Sequence, residues 1–217
     1  MTSKRPLKRR SAGRPAAGEV EQRIEKLLDV ATKVFIENGY EGTSVGEIAR
    51  RANASKQTLY SRYPSKSDLF TAVMSRLCEA GFARIADILR PERSPEEALR
   101  SYAWELIKPL VDKDVVRLNQ TIICAAESFP EIAKMFWNIG PERAHRVMED
   151  FVRDRIARGE LRAGDPVEAA NLFLAMCTGR FWSEGLFGFQ RRFTQSEINH
   201  YIEFAVKVFI AVYSPSK

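Results

Sequence analysis

Signals that begin an α-helix recur along the whole of this 217-residue chain. Five predicted helix starts carry a hydroxyl residue or an aspartate that is followed three positions later by an acidic residue, at Ser44, Ser65, Ser94, Asp165 and Thr194. In such a capping box the first side chain accepts a hydrogen bond from the third backbone amide, and the acid reaches back to the first amide. No stretch alternates polar and apolar residues with β-branched enrichment. The sequence therefore predicts an all-α fold.

Helix ends are marked as clearly as helix beginnings. The first helix is predicted from Glu19 to Asn38, because Asn38 and Gly39 both tolerate the left-handed conformation of a helix C-terminus. Pro64 stops the third helix, and the fourth begins after Ser65. The predicted helices are 19–38, 45–52, 56–63, 66–89, 95–111, 113–127, 131–139, 141–158, 166–187 and 195–213.

Positive charge is concentrated in two short segments. Residues 1–18 contain six basic and no acidic residues, and residues 50–66 contain five basic and no acidic residues. The rest of the chain is balanced or acidic, which is typical of a polyanion-binding end on an ordinary globular body. We therefore divide the chain into a disordered basic arm over 1–18, a DNA-binding domain over 19–66 and a larger helical domain over 67–217.

The composition disfavours several other classes of protein. No apolar run approaches the roughly 18–20 residues that span a bilayer, and no signal peptide is recognisable, so a cytoplasmic protein is expected. Cys78, Cys124 and Cys177 are far apart, which argues against a disulfide framework and a metal site. His145 and His200 are isolated, and no glycine-rich phosphate loop follows a strand. We expect neither an enzymatic activity nor a cofactor.

The segment 45–63 has the pattern of a helix-turn-helix. Its two predicted helices are joined by Ala52-Asn53-Ala54, and Asn53 can adopt the positive φ that a tight corner requires. Ser55 can cap the second helix, which leaves Lys56, Gln57 and Thr58 in its first turn. In such motifs this turn meets base edges in the major groove, so the pattern predicts DNA binding.

Residues 31–70, AtKvFienGYegTSVgeIArrAnaSKqTLYsrYPSKsdLF, resemble the DNA-binding domain of the TetR family of bacterial one-component regulators. The resemblance implies a helix-turn-helix domain followed by a helical domain for ligand binding and dimerisation. Asn53 stands where glycine is common in the family, and Gln57 where glycine or alanine is common. Because Gln57 adds a base-reading amide, the operator sequence cannot be carried over from relatives.

Roles in DNA binding follow for the polar residues that match the family. Gln57 is suited to reading adenine, Lys56 to guanine or a phosphate, and Thr58 to a thymine methyl group or the backbone. Tyr60 and Tyr63 carry hydroxyls suited to phosphates, and helix N-termini favour anions. The predicted DNA-binding set is Thr43, Ser44, Ser55, Lys56, Gln57, Thr58, Tyr60, Ser61, Tyr63 and Lys66.

The basic arm adds Arg14 to this set. Gly13-Arg14-Pro15, preceded by Arg9-Arg10, is similar to the core of an AT-hook, in which Arg14 would enter an A·T minor groove. A solubilising tail, or one that binds phosphates without specificity, explains the same residues and is the interpretation that we favour.

The resemblance implies that residues 67–217 sense a small molecule and form a homodimer. Apolar residues step by three and four along the last two predicted helices, as in a four-helix interface. The predicted dimer residues are Leu174, Cys177, Phe181, Tyr201, Ala205, Val208 and Val212. A pocket for an apolar or aromatic effector is predicted from Trp104, Cys124, Phe129, Phe136, Trp137, Phe173, Met176 and Trp182. Both sets have a plainer interpretation as intramolecular core.

The expected function is transcriptional regulation, and repression relieved by the effector is the commonest mode of the family. An activator of the same fold and a ligand-independent protein that organises DNA are the alternatives. The predicted partners are a palindromic double-stranded DNA operator, the effector and a second copy of the chain, with no membrane. The residues identify neither the effector, nor the operator, nor the regulated genes.

Overall fold

The computed structural model describes residues 17–189 and 192–215, and all regular structure in these residues is α-helical. The predicted all-α fold is therefore confirmed. The helices are α1 (Ala17–Gly42), α2 (Val45–Arg51), α3 (Lys56–Arg62), α4 (Lys66–Phe82), α5 (Ile85–Ile88), α6 (Pro95–Val111), α7 (Lys113–Ala125), α8 (Pro130–Ile139), α9 (Pro141–Ala157), α10 (Pro166–Leu186) and α11 (Gln195–Tyr213).

The helix boundaries follow the capping signals. Ser65, Ser94 and Thr194 form complete capping boxes, and α6 to α11 begin and end within two residues of their predicted limits. Ser44 caps α2, but the Glu47 carboxylate accepts hydrogen bonds from Asn38 of α1 and from Arg51 of α2 instead of returning to the cap. α1 is interrupted at Gly39, where φ is 70°, so the stop predicted after Asn38 is confirmed.

The predicted fourth helix was too long. α4 ends at Phe82, and α5 begins only at Ile85 after the chain turns. α4 buries Leu69 and Phe70 in one apolar cluster, whereas Ile85 and Ile88 of α5 are buried in another. A straight helix through residue 89 would have to contribute buried residues to both clusters. The turn between Phe82 and Ile85 lets α4 pack in one cluster and α5 in the other.

Two hydrophobic cores account for this division. The N-terminal core contains buried residues of α1 to α4, and α7 and α8 contribute further buried residues to it: Leu118, Ile122, Ala125 and Ile132. The C-terminal core is formed mainly by α5, α6, α9, α10 and α11. Hydrophobic packing therefore does not divide the chain at residue 66, because α4, α7 and α8 complete the core beneath the helix-turn-helix.

The structure holds no helix, within the residues that it describes, that is long and apolar enough to cross a membrane. Over the same residues, no three side chains of histidine, cysteine, aspartate or glutamate gather as metal ligands.

Candidate nucleic-acid interface

The corner between α2 and α3 is rigidly built. Asn53 has a φ of 49°, as the sequence predicts, and the Ala54 amide donates to the Ala49 carbonyl over 2.9 Å. Ile48 and Ala49 of α2 and Leu59 of α3 are at most 2% exposed in the N-terminal core. Because Leu59 is the one buried residue of α3, this side chain mounts the helix on the domain.

The remaining six residues of α3 are all exposed to solvent. Ser55 caps the helix, since its hydroxyl accepts from the Thr58 amide over 3.0 Å and bonds the Thr58 hydroxyl over 2.7 Å. The Ser61 hydroxyl donates to the Thr58 carbonyl over 2.9 Å. Within the part of the chain that the structure describes, the Gln57 amide and the Tyr60 hydroxyl have no hydrogen-bond partner. These two groups are available to a ligand outside the protein.

Gly46 makes room for Lys56, a relation that the sequence analysis missed. A Cβ atom at residue 46 would lie 2.5 Å from Lys56 Cε and 2.9 Å from Lys56 Nζ. The lysine side chain therefore crosses the first turn of α2. The clue in the sequence was Gly46 itself. It lies inside a short helix, where glycine weakens the helix by about 0.5–1 kcal/mol relative to alanine.

Fewer basic side chains of residues 50–66 are free of ion pairs than the composition of this segment indicates. Arg51 forms ion pairs with Glu37 at 2.5 Å and Glu47 at 2.6 Å, and these hydrogen bonds raise the pKa of its guanidinium. Its charge ties α2 to α1 and is neutralised there. Among the described residues, no ion pair involves Arg50, Lys56 or Arg62, and all three are exposed.

Two of the predicted DNA contacts, Thr43 and Lys66, bond within the protein, and the prediction is corrected for the buried Thr43. Thr43 is 3% exposed, and its hydroxyl donates to the Gly39 carbonyl over 2.6 Å, so it cannot reach a phosphate. Lys66 Nζ donates to the carbonyls of Tyr40 (2.8 Å) and Glu41 (3.1 Å). Burial lowers the pKa of Lys66, while the Glu41 carboxylate opposes that shift. Both residues fasten the end of α1.

The remaining predicted DNA contacts differ in their exposure to solvent. Ser44 is exposed at the start of α2. Tyr63 is half-buried, with the Arg62 guanidinium 5.9 Å from its ring centre. Arg14 and the remainder of the predicted arm up to residue 16 lie outside the described residues, whereas the backbone of 17 and 18 belongs to α1.

Comparison with known proteins decides the family. Residues 27–73 match the family model of bacterial regulatory proteins of the tetR family. Residues 97–215, more than half of the chain, match the C-terminal domain of AefR-like transcriptional repressors. The chain belongs to the TetR family of transcriptional regulators. The resemblance seen in residues 31–70 is thus confirmed and extends to the C-terminal helices.

Individual TetR-family relatives cover most of the chain. YezE, a helix-turn-helix transcriptional regulator of Bacillus subtilis (strain 168), is 32% identical over 145 residues, which are 65% of this chain and 70% of YezE. The transcriptional repressor ComR of Escherichia coli (strain K12) is 28% identical over 156 residues, 70% of this chain and 72% of ComR. The structure of the flavonoid-responsive regulator FrrA superimposes with a TM-score of 0.76 at 29% identity, over 91% of this chain and 100% of FrrA. These proteins are regulators of transcription rather than enzymes.

The predicted effector residues of this TetR-family chain do not converge on one cavity. Phe173 is fully buried in the C-terminal core, with its ring 5.2 Å from that of Phe209, and therefore offers no surface to a ligand. Trp137 is half exposed, and its indole N–H donates to Glu142 over 3.0 Å. Three more residues are partly buried against the two cores, namely Trp104, Phe136 and Met176. Trp182 is half-buried on α10.

Two residues of this set, Cys124 and Phe129, line the same cavity. It has a volume of about 380 Å³ and lies between the end of α1 and α7, and we name it the α1–α7 cleft. Tyr40 lines it from α1, and Arg117 and Gln120 line it from α7. The cleft adjoins the N-terminal core, because Tyr40 belongs to the same apolar cluster as Ile48 and Leu59 of the helix-turn-helix.

The predicted dimer seam is largely intramolecular. The side chains of four of its residues are at most 4% exposed inside the C-terminal core: Leu174, Cys177, Phe181 and Ala205. Tyr201 is half-buried, with its ring 5.1 Å from that of Phe181. The period of three and four marked the inward face of α10 and α11, so the prediction is corrected for these residues. Val208 is half-buried, and Val212 is 41% exposed.

A different surface of the same helices is apolar and open. On α10 the exposed or half-buried residues Leu172, Ala175, Met176, Gly179 and Leu186 follow one another along a face without a charged side chain between them. On α11, Phe204 is 64% exposed and borders, with Ala211, a groove of about 640 Å³ whose lining also includes four charged side chains, Glu96, Arg100, Glu203 and Lys207. We name the five residues of α10, together with Phe204 and Ala211, the apolar face.

Proposed function

We propose that this TetR-family chain is a repressor that binds a palindromic operator through α3 and releases it when a small apolar or aromatic molecule binds. The observation that carries the proposal is the exposure of every residue of α3 except Leu59. A helix mounted by one buried side chain can enter a major groove without losing its own packing.

The chemistry of the exposed surface supports sequence-specific reading. A glutamine amide can form two hydrogen bonds with the edge of adenine, and a lysine can bond to guanine. Gln57 and Lys56 present these groups in the first turn of α3, where helix-turn-helix proteins contact bases. Arg50 and Arg62 add exposed guanidinium groups for phosphates.

Action as a homodimer is proposed from the apolar face. A single recognition helix reads too few base pairs, and palindromic operators are bound by two-fold symmetric pairs. Exposed apolar patches are typical of protein interfaces, and a second copy of the chain is the partner that two-fold reading requires. Phe204, 64% exposed, is the most exposed large side chain of the apolar face.

Repression and an aromatic effector are proposed from the relatives. Residues 97–215 match the C-terminal domain of AefR-like repressors, and ComR is named a repressor. FrrA, which aligns over 91% of this chain, is named flavonoid-responsive, and flavonoids are aromatic.

The test begins with an operator selected by the full-length protein from random duplexes. The double variant Gln57→Ala/Tyr60→Ala is expected to weaken operator binding by about a hundredfold, since a lost bidentate contact is worth roughly 1–3 kcal/mol and the dimer loses one at each half-site. Its thermal melt should stay close to that of the wild type, because both side chains are exposed.

Gln22→Ala is the matched control, since Gln22 is an exposed glutamine of α1 outside the predicted DNA-binding set. It should leave operator affinity unchanged. Wild-type affinity of the double variant would remove α3 from the proposed role. Equal affinity of the wild type for operator and random DNA would favour a protein that organises DNA instead.

A further inference from the structure

The α1–α7 cleft has the size and the lining of a small-molecule site. Its volume of about 380 Å³ lies within the range of roughly 300–1,000 Å³ that ligand pockets occupy. Phe129 is half-buried there, with its ring centre 5.0 Å from that of Tyr40 and the two rings edge to face. Aromatic pairs of this kind favour further aromatic neighbours, because ring edges and faces attract one another.

The hydrogen-bonding groups of the cleft lie beside these rings. Gln120 is half-buried, and Thr121 is nearly buried, and both line the cleft from α7. Cys124 also lines it, and its side chain is exposed. An apolar ring system with a polar group at one end fits this combination better than a purely polar solute.

The lining of the cleft contains one basic and one acidic side chain, Arg117 and Glu41. Arg117 lines it and, among the described residues, forms no ion pair. Glu41 also lines the cleft, but its carboxylate lies near the Lys66 ammonium and stabilises that charge. Arg117 is exposed and therefore accessible to an anion in the cleft, and a planar guanidinium binds carboxylates and similar acids through two parallel hydrogen bonds.

The two walls of the cleft are hydrogen-bonded to different parts of the molecule. Tyr40 accepts a hydrogen bond from Lys66 at the start of α4, and Thr43, just beyond it, closes the end of α1. On the other side, Gln120 donates to the carbonyls of Gly185 (2.9 Å) and Leu186 (3.4 Å) at the end of α10. A molecule between α1 and α7 thus lies between the helix-turn-helix and the helix that carries the apolar face.

We infer that the α1–α7 cleft binds a small planar aromatic acid, whose acidic group pairs with Arg117 and whose ring packs beside Phe129, and that occupancy lowers operator affinity. Binding separates α1 from α7 and so changes the orientation of α3 relative to α10. In a symmetric dimer this changes the distance between the two recognition helices. The regulatory part of this inference rests on the proposed function, whereas the binding site does not.

The site is tested first without DNA, with the fluorescent aromatic acid anilinonaphthalene sulfonate and the full-length protein. Arg117→Gln should raise the Kd of the probe about tenfold, as expected for one charge-assisted contact. Lys113→Gln, which removes an exposed charge from the same helix outside the cleft, should leave the Kd within about twofold of wild type.

Alkylation of Cys124 by iodoacetamide locates the probe. Cys124 is the one exposed thiol of the three in the chain, and burial raises the pKa of Cys78 to about 11 and that of Cys177 to about 12. Saturating probe should therefore slow the modification of Cys124 in the wild type. An equal Kd for wild type and Arg117→Gln, or an unprotected Cys124, would overturn the site.

The regulatory part is tested with the selected operator. Saturating probe should raise the operator Kd of the wild type at least about tenfold, and should have no such effect on Arg117→Gln at the same concentration. Unchanged operator affinity with a protected Cys124 would overturn the regulation while supporting the site. A failure to select any specific operator would overturn the proposed function, and the fluorescence and alkylation results would still decide the site.

Discussion

Leu118 tests whether α7 belongs to the core of the DNA-binding unit. It lies 45 residues beyond the segment 27–73 that matches the tetR family model, yet it is fully buried in the N-terminal core with residues of α1 to α4. Leu118→Ala removes a buried side chain from a packed cluster, which costs about 2–5 kcal/mol in comparable cores. At roughly 2–4 °C per kcal/mol for a chain of this size, a loss of about 3 kcal/mol lowers the Tm by about 6–12 °C.

Ile123→Ala is the matched control on the same helix. Ile123 is 46% exposed, so its truncation should change the free energy of unfolding by no more than about 0.5 kcal/mol. Thermal melts of the two variants give the comparison, and hydrogen exchange locates the effect. In Leu118→Ala, the amides of α1 near Val34 and Phe35 should exchange faster, because these residues share the weakened cluster. Equal melts, or unchanged protection of α1, would refute the packing of α7 into this unit.

Two further substitutions test the dimer and the end of α1. Phe204→Glu places charge on the apolar face and should raise the dimer Kd at least about a hundredfold in sedimentation, as expected for a hot-spot aromatic residue. Ile123→Glu, at an exposed apolar residue of α7 outside that face, should not. A stable dimer of Phe204→Glu would move the interface elsewhere. Thr43→Val deprives the Gly39 carbonyl of its hydrogen bond and should cost about 1–3 kcal/mol of stability, while Thr43→Ser should retain most of it. Loss of operator affinity in Thr43→Val without loss of stability would restore a DNA contact to this hydroxyl.

Short-range signals predicted the helices well because each signal acts within one turn. Ser94 with Glu97 and Thr194 with Glu197 satisfy amides that every helix N-terminus leaves unpaired, whatever the rest of the molecule does. Asn53 adopts a positive φ for an equally local reason. α3 and its exposed first turn could therefore be located before any tertiary contact was known.

Contacts between distant residues could not be predicted in this way. In the sequence, Lys66 is one of the basic residues of the segment 50–66. The carbonyls at the end of α1 that accept hydrogen bonds from its ammonium group lie beside it only after folding. The charge of Arg51 is likewise neutralised by ion pairs with Glu37 and Glu47. Charge in a sequence is counted along the chain, whereas neutralisation depends on distance in space.

The all-α fold, the capped helices and the positioned recognition helix were determined by the sequence itself, because caps, turn residues and the 3.6-residue period depend on near neighbours. The tertiary structure alone decided which apolar stripe faces inward. Leu174 and Phe181 have the period of an interface and are buried within one chain, while Leu172 and Phe204 remain at the surface. It also decided that Leu118 of α7 completes the core beneath α3. The physical reason is that hydrophobic burial is not directional. A periodic apolar stripe therefore predicts that one face of a helix will be buried, but it does not predict whether the same chain or a second copy buries it.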